Sequence, residues 1–220
     1  MPLPEPYFQR DGITIYHADC ADILPSIDPA TVDLLLTDPP YGINHDTDYT
    51  RFTRGAAEQS SHERIVNDAR RFDPRPIASR YRRAILFGAN AFSDKLPLGS
   101  WIVWDKRPPS GAKNVMSDAE VAWFGSGHGV YVFSHFWDGF NRASERATAF
   151  HPTQKPVALM RWIIDRWTEP GDLVLDPYMG SGPIAQACLE LGRRYIGIEI
   201  VEDYCKVTVE HRLGQPTLPF

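Results

Sequence analysis

The chain is poor in cysteine, and Cys20, Cys188 and Cys205 are scattered and odd in number. With no C-x-x-C pair, they point to neither a disulfide framework nor a zinc site, and a reduced, cytoplasmic setting is expected. No apolar run approaches the ~20 residues of a membrane span. Residues 1–10 lack the charged and apolar regions of a signal peptide, so no membrane partner is expected. There is no internal repeat and no low-complexity tract. Positive charge is also short: 23 Lys and Arg against 28 Asp and Glu leave a net charge of −5. That argues against coating nucleic acid by charge alone, although a local basic surface is still allowed.

What is present is an ordinary globular composition, 43% hydrophobic and 23% charged over 220 residues, enough for one domain with a sizeable core. Short apolar runs read as strands at 13–17, 32–37, 84–88, 101–104, 119–124, 130–133, 173–176 and 195–199. The run at 130–133 either continues or pairs with the one at 119–124. Helices are expected at 22–27, just before residue 84, and at 156–168, 183–191 and 202–213. In the 156–168 segment Val157, Met160, Ile163, Ile164 and Trp167 recur at helical spacing. Strands alternating with helices predict an α/β fold with a largely parallel sheet.

The run Val32-Asp33-Leu34-Leu35-Leu36-Thr37 ends in Asp38-Pro39-Pro40-Tyr41-Gly42. Strands of an open α/β sheet present their carboxyl ends to the ligand crevice, so Asp38 should stand at a site. The prolines fix φ and leave carbonyls free to accept hydrogen bonds. Asp38 and the Pro39 carbonyl can each accept one hydrogen of an exocyclic amine, while Tyr41 stacks on its ring. The same residues also read as a proline-rich turn after a core strand.

A second constellation is Asp176-Pro177-Tyr178-Met179-Gly180-Ser181-Gly182-Pro183, between a strand and a helix. Gly180 and Gly182 allow a tight turn and close approach of a ligand. Pro183 suits a first helical turn, whose free N–H groups favour an anionic group. Glu199 ends the following strand, where an acidic residue can bind ribose hydroxyls. These features point to an adenosine-containing cofactor, or to a helix cap followed by a surface Glu. No Lys-Ser or Lys-Thr follows the glycines, which argues against a P-loop.

Together Asp38-Pro39-Pro40-Tyr41, His151-Pro152-Thr153-Gln154-Lys155-Pro156 and Asp176-Pro177-Tyr178-Met179-Gly180-Ser181-Gly182 resemble the amino-DNA methyltransferases that use S-adenosylmethionine. The resemblance runs from about residue 13 to residue 213, with the catalytic motif ahead of the cofactor glycines in the permuted, β-type order. Pro183-Ile184 departs from the family's usual pair of threonines. The resemblance implies a single Rossmann-like methyltransferase domain over 1–220, with a circularly permuted motif order. Its sheet would have seven strands, mostly parallel, with one antiparallel strand. The strands at 173–176 and 195–199 would be the first two structural strands, and that at 13–17 the third. A basic polar insertion would occupy 44–83, and a small target-recognition region 105–150.

By the same resemblance Asp38, Pro39, Pro40 and Tyr41 are the catalytic turn. Thr37, Asp38, Asp176, Pro177, Gly180, Ser181 and Gly182 meet the cofactor. Glu199 binds its ribose, Asp19 lies near its adenine, and Thr153 and Lys155 hold the methionine carboxylate, Lys155 as a point charge. No metal is needed. The target would be adenine N6 in double-stranded DNA, with cytosine N4 as the alternative, and the base must be flipped out to be reached. RNA or protein amide methylation and a catalytically silent binding protein are the remaining rivals.

Residues 51–83 carry nine arginines against four acidic residues. They either track phosphates or form a solvated loop. The DNA contacts expected are Arg51, Arg54, Arg70, Arg71, Lys106, Arg107, Arg142 and Arg146, with Asn114 and Asn141 among the base readers. The resemblance allows a homodimer. The tail Gln215-Pro216-Thr217-Leu218-Pro219-Phe220 loosely resembles peptides that dock on sliding clamps, or is a frayed terminus.

Overall fold

The computed structural model describes residues 2–42, 71–112, 117–137, 143–145 and 154–214. Its strands are β1 (Phe8–Arg10), β2 (Ile13–His17), β3 (Leu34–Thr37), β4 (Ala84–Phe87), β5 (Ser100–Asp105), β6 (Ala119–Phe124), β7 (Val130–Ser134), β8 (Leu173–Asp176) and β9 (Arg194–Glu199). The helices are α1 (Cys20–Ile23), α2 (Arg75–Ala78), α3 (Val157–Trp167), α4 (Pro183–Glu190) and α5 (Glu202–Val207), the last widening into a π turn over Thr208–Leu213.

All nine strands form one sheet in the order β1-β2-β9-β8-β3-β4-β6-β5-β7. β2, β9, β8, β3 and β4 are mutually parallel, and β1 and β6 run against the rest. The α/β class and the neighbourhood β8-β9-β2 are as the permuted reading expects. Among the described residues the strand count is not: seven were expected, and β1 and β7 add one strand at each edge. β7 also pairs with β5 in parallel rather than with β6, because β6 already has β4 and β5 on its two sides.

β3, β4 and β8 are buried throughout, which is why their sequences are continuous apolar runs rather than alternating ones. Leu34 and Leu36 point to the layer holding Leu159, Met160 and Ile163 of α3 and Ile184 and Cys188 of α4. Leu35 points to the opposite layer, with Ile23, Ile77 and Phe92. The sheet is thus covered on both faces. The helix expected at 22–27 is shorter: α1 stops at Ile23, and a separate 3-10 turn with Pro25 in it follows over Leu24–Ser26. Among the described residues no helix is long and apolar enough to cross a membrane.

Candidate active site

The chain leaves β8 through α4 toward β9 and leaves β3 in the other direction, toward β4. A crevice at such a switch point, outside the carboxyl ends of the strands, is where open α/β sheets bind ligands. Its floor is bolted across β3 and β8. The Thr37 hydroxyl donates to Asp176 Oδ1 at 2.6 Å, and the Tyr195 hydroxyl donates to Oδ2 at 3.1 Å. The Tyr178 N–H adds a third donor, to Oδ1 at 3.2 Å. Asp176 is fully buried, and burial pushes its carboxyl up to about 7 against these donors. The sequence reading placed Thr37 and Asp176 against the cofactor. Both residues are buried, and their side chains bond each other across the two strands.

Asp38 follows directly, with 21% of its side chain exposed. The Tyr41 hydroxyl donates to its Oδ1 at 2.6 Å, and the Lys155 ammonium donates to its Oδ2 at 2.5 Å. Lys155 also reaches the Tyr41 hydroxyl oxygen at 3.2 Å, with the Tyr41 and Phe87 ring centroids 5.7 and 5.6 Å away. Only 5% of its side chain is exposed. Just past β4, Gly88 adopts φ +67°, and a Cβ on it would collide with the Tyr41 ring. The glycine therefore makes room for the aromatic wall of the site.

The charges continue beyond Lys155. Glu120 of β6 places Oε2 3.3 Å from the Lys155 ammonium, and its Oε1 accepts from Lys106 at 2.9 Å. Burial pushes the Asp38 carboxyl up, opposed by Lys155 and Tyr41. Burial alone would push the Lys155 ammonium down, yet Asp38 and Glu120 hold it well above its ordinary value. For Glu120, burial is outweighed by Lys155 and Lys106, and its carboxyl stays below the usual range. Lys155 was expected at a methionine carboxylate; here two carboxylates of the protein engage it.

On the other side of the crevice Gly180 and Gly182 lie in the left-handed region, at φ +53° and +73°. Gly182 caps α4 and leaves no room for a Cβ against Thr208. Glu199 Oε2 accepts the Gly180 N–H at 2.8 Å, and Oε1 accepts the Val201 N–H at 2.8 Å. With the Ile200 N–H also bound, the carboxylate keeps one further acceptor position. Burial pushes the Glu199 carboxyl up against these N–H donors. The buried Ser181 hydroxyl has no hydrogen-bond partner among the described residues. A buried orphan of this kind calls for a ligand or a water. Asp19 is exposed just beyond β2, where it caps α1 through the Ala21 N–H at 2.9 Å. The preceding Ala18 N–H bonds the Glu199 carbonyl at 3.0 Å, which brings the two acidic residues to one rim. Glycine cradle, acidic rim and orphan hydroxyl together fit an adenosine-containing cofactor.

Of the expected DNA contacts, Arg51, Arg54, Arg70, Arg142 and Arg146 lie outside the described residues, as do Thr153, Asn114, Asn141 and the 215–220 tail. Lys106 is 12% exposed and bound to Glu120. Arg71 pairs with Asp94 at 2.5 Å and donates to the Ala91 carbonyl at 3.1 Å. Arg107 forks onto Asp105 at 2.9 and 2.8 Å. It remains exposed on an open groove of about 510 Å³ with Pro108, Pro109, His135 and Phe136. Glu120 and Gly88 were missed by the sequence reading. The signals were a lone carboxylate in the otherwise apolar Ala119–Phe124 strand, and a glycine directly after a buried one.

Comparison with known proteins agrees with this geometry. Residues 127–210 match the DNA methylase family of N6 and N4 methyltransferases. The type II methyltransferase M2.LlaDCHI of Lactococcus lactis subsp. cremoris is 23% identical over 93% of this chain and 91% of its own. The DNA adenine methyltransferase YhdJ of Escherichia coli (strain K12) is 49% identical over 57 residues, which span 26% of this chain and 19% of that protein. The crystal structure of M1.HpyAVI superposes with a TM-score of 0.56 at 25% identity, covering 93% of this chain and 100% of that one. The resemblance carried by the three motifs is upheld.

Proposed function

We propose that this chain, an amino-DNA methyltransferase in its motifs and its fold, moves a methyl group from S-adenosylmethionine to N6 of an adenine in double-stranded DNA. The observation that carries the reading is the Asp38-Pro39-Pro40-Tyr41 turn at the switch point, fixed beside the Gly180–Glu199 cradle by the Thr37–Asp176 bond. Glu199 and Asp19 would hold the cofactor's adenosine, with Ser181 and the Gly180 and Gly182 backbone around it. Bound there, S-adenosylmethionine would supply an electrophilic sulfonium methyl, with its sulfur as the leaving group.

The protein's part is position and electrostatics. The amine of adenine shares its lone pair with the ring and is a poor nucleophile. Hydrogen bonds to Asp38 and to the Pro39 carbonyl pull it toward tetrahedral geometry and free that lone pair. Tyr41 stacks on the base once it leaves the duplex, a step that costs a few kcal/mol. The proton shed by the alkylated nitrogen passes to Asp38, whose burial raises its affinity for it. The Asp at the head of the motif and the likeness to YhdJ support adenine over cytosine N4, the other target of the matched family. Arg107 beside the open groove supports a DNA contact there, and the arginines of residues 51–70 are proposed to track phosphates. Asp38→Ala is expected to abolish transfer while cofactor affinity, measured by calorimetry, stays nearly intact. Equal loss of both contradicts the assignment.

A further inference from the structure

Both oxygens of the Asp38 carboxylate are occupied, one by Tyr41 and one by Lys155. Each oxygen keeps a second acceptor position, and an incoming amine gains the fuller share of one where its present occupant yields. Lys155 is the one that can move, because a second carboxylate stands on its other side, Glu120 at 3.3 Å. A buried ammonium left without a counter-charge is strongly disfavoured, so its release from Asp38 needs such a partner. Glu120 is itself secured by Lys106 on its far oxygen, and Lys106 rests over the Trp104 ring, 5.6 Å from its centroid. The row thus alternates cation and anion: Lys106, Glu120, Lys155, Asp38.

We propose that Glu120 is a positioning residue for Asp38, sharing the Lys155 ammonium so that Lys155 can surrender an Asp38 oxygen to the incoming amine. The inference rests on the methyltransferase reading for its consequence, but its physical content is the coupling of Glu120 to Asp38 through Lys155. The charged and titratable groups around Asp38 are Lys155 from the segment before α3, Tyr41 from its own turn and Glu120 from β6. Asp176 of β8 feels the Asp38 charge in turn. Glu120→Gln keeps the shape and an oxygen for Lys106, and removes one negative charge. Lys155 is then left with Asp38 as its one carboxylate partner among these groups. The pair should tighten, and the like charge that raises the Asp38 carboxyl disappears.

The test is a carbon-13 carboxyl titration of Asp38 in the wild-type chain and in Glu120→Gln, with thermal melting to confirm that both fold. Asp38 is expected to titrate about one unit lower in the variant. With DNA and S-adenosylmethionine, single-turnover transfer should slow about tenfold. The acid limb of its pH profile should move the same way as the titration, with cofactor affinity unchanged. Glu120→Asp, which restores the charge, should recover part of the rate. An Asp38 titration that does not move overturns the inference whatever the activity. A wild-type chain that methylates no DNA, with the titration shift present, overturns the functional reading and leaves the coupling standing. If Glu120→Gln does not fold, the same titration is made on Lys106→Met, which frees the far oxygen of Glu120 for Lys155. An unchanged Asp38 there then overturns the inference.

Discussion

The Thr37 hydroxyl and the Asp176 carboxylate meet at 2.6 Å across the gap between β3 and β8. One residue closes the strand before the Asp38-Pro39-Pro40-Tyr41 turn, the other closes the strand before the glycine turn, and they stand 139 positions apart in the chain. The bond holds the two motifs in register where the chain direction divides.

This buried carboxylate makes stability depend on pH. Burial pushes the Asp176 carboxyl up to about 7, above an ordinary carboxyl at 3.8. The folded state therefore binds the proton more tightly than the unfolded one. Its contribution is fully present below about pH 4 and is lost as pH rises toward 7, by on the order of 4 kcal/mol. Asp176→Asn removes this slope. The melting temperature of the variant relative to wild type is expected to climb between pH 5 and pH 8; a constant difference contradicts the assignment.

Gly88→Ala places a methyl group in the Tyr41 ring and asks a non-glycine residue to hold φ +67°. Overpacking of this kind costs about 1–3 kcal/mol. The expected outcome is a lower melting point, together with a loss of transfer larger than the loss of cofactor binding. Chemical denaturation and single-turnover assays report the two effects separately. Unimpaired transfer means that Tyr41 is not the wall against which the base rests.

Glu199→Gln keeps the shape but weakens the carboxylate hydrogen bonds that join Gly180 and Val201 to the strand end. Cofactor affinity should fall at least tenfold, with a smaller effect on the rate at saturating cofactor. Calorimetric titration checks this. Unchanged affinity removes Glu199 from the cofactor site.

The elements at the site were legible because buried parallel strands write themselves as short apolar runs and their ends are marked by Asp, Pro and Gly. Leu34–Thr37 followed by Asp38, and Leu173–Asp176 followed by the glycine turn, are both of this kind. What a side chain meets across the sheet was not legible. Nothing local in the Ala119–Phe124 strand says that Glu120 reaches Lys155, because strand order brings them together rather than sequence spacing. For the same reason nothing local says that Lys106 is bound to Glu120. The edge strand β1 was missed because three residues carry too little periodicity, and β7 was given the wrong neighbour because pairing depends on which edge is open.

The central claim is tested most directly by incubating the chain with S-adenosylmethionine carrying a labelled methyl group and unmethylated genomic DNA, then resolving the product nucleosides. Label in N6-methyladenine is the expected result. Label in N4-methylcytosine keeps the mechanism and overturns the target base. No label in DNA, alongside measurable cofactor binding, contradicts the account.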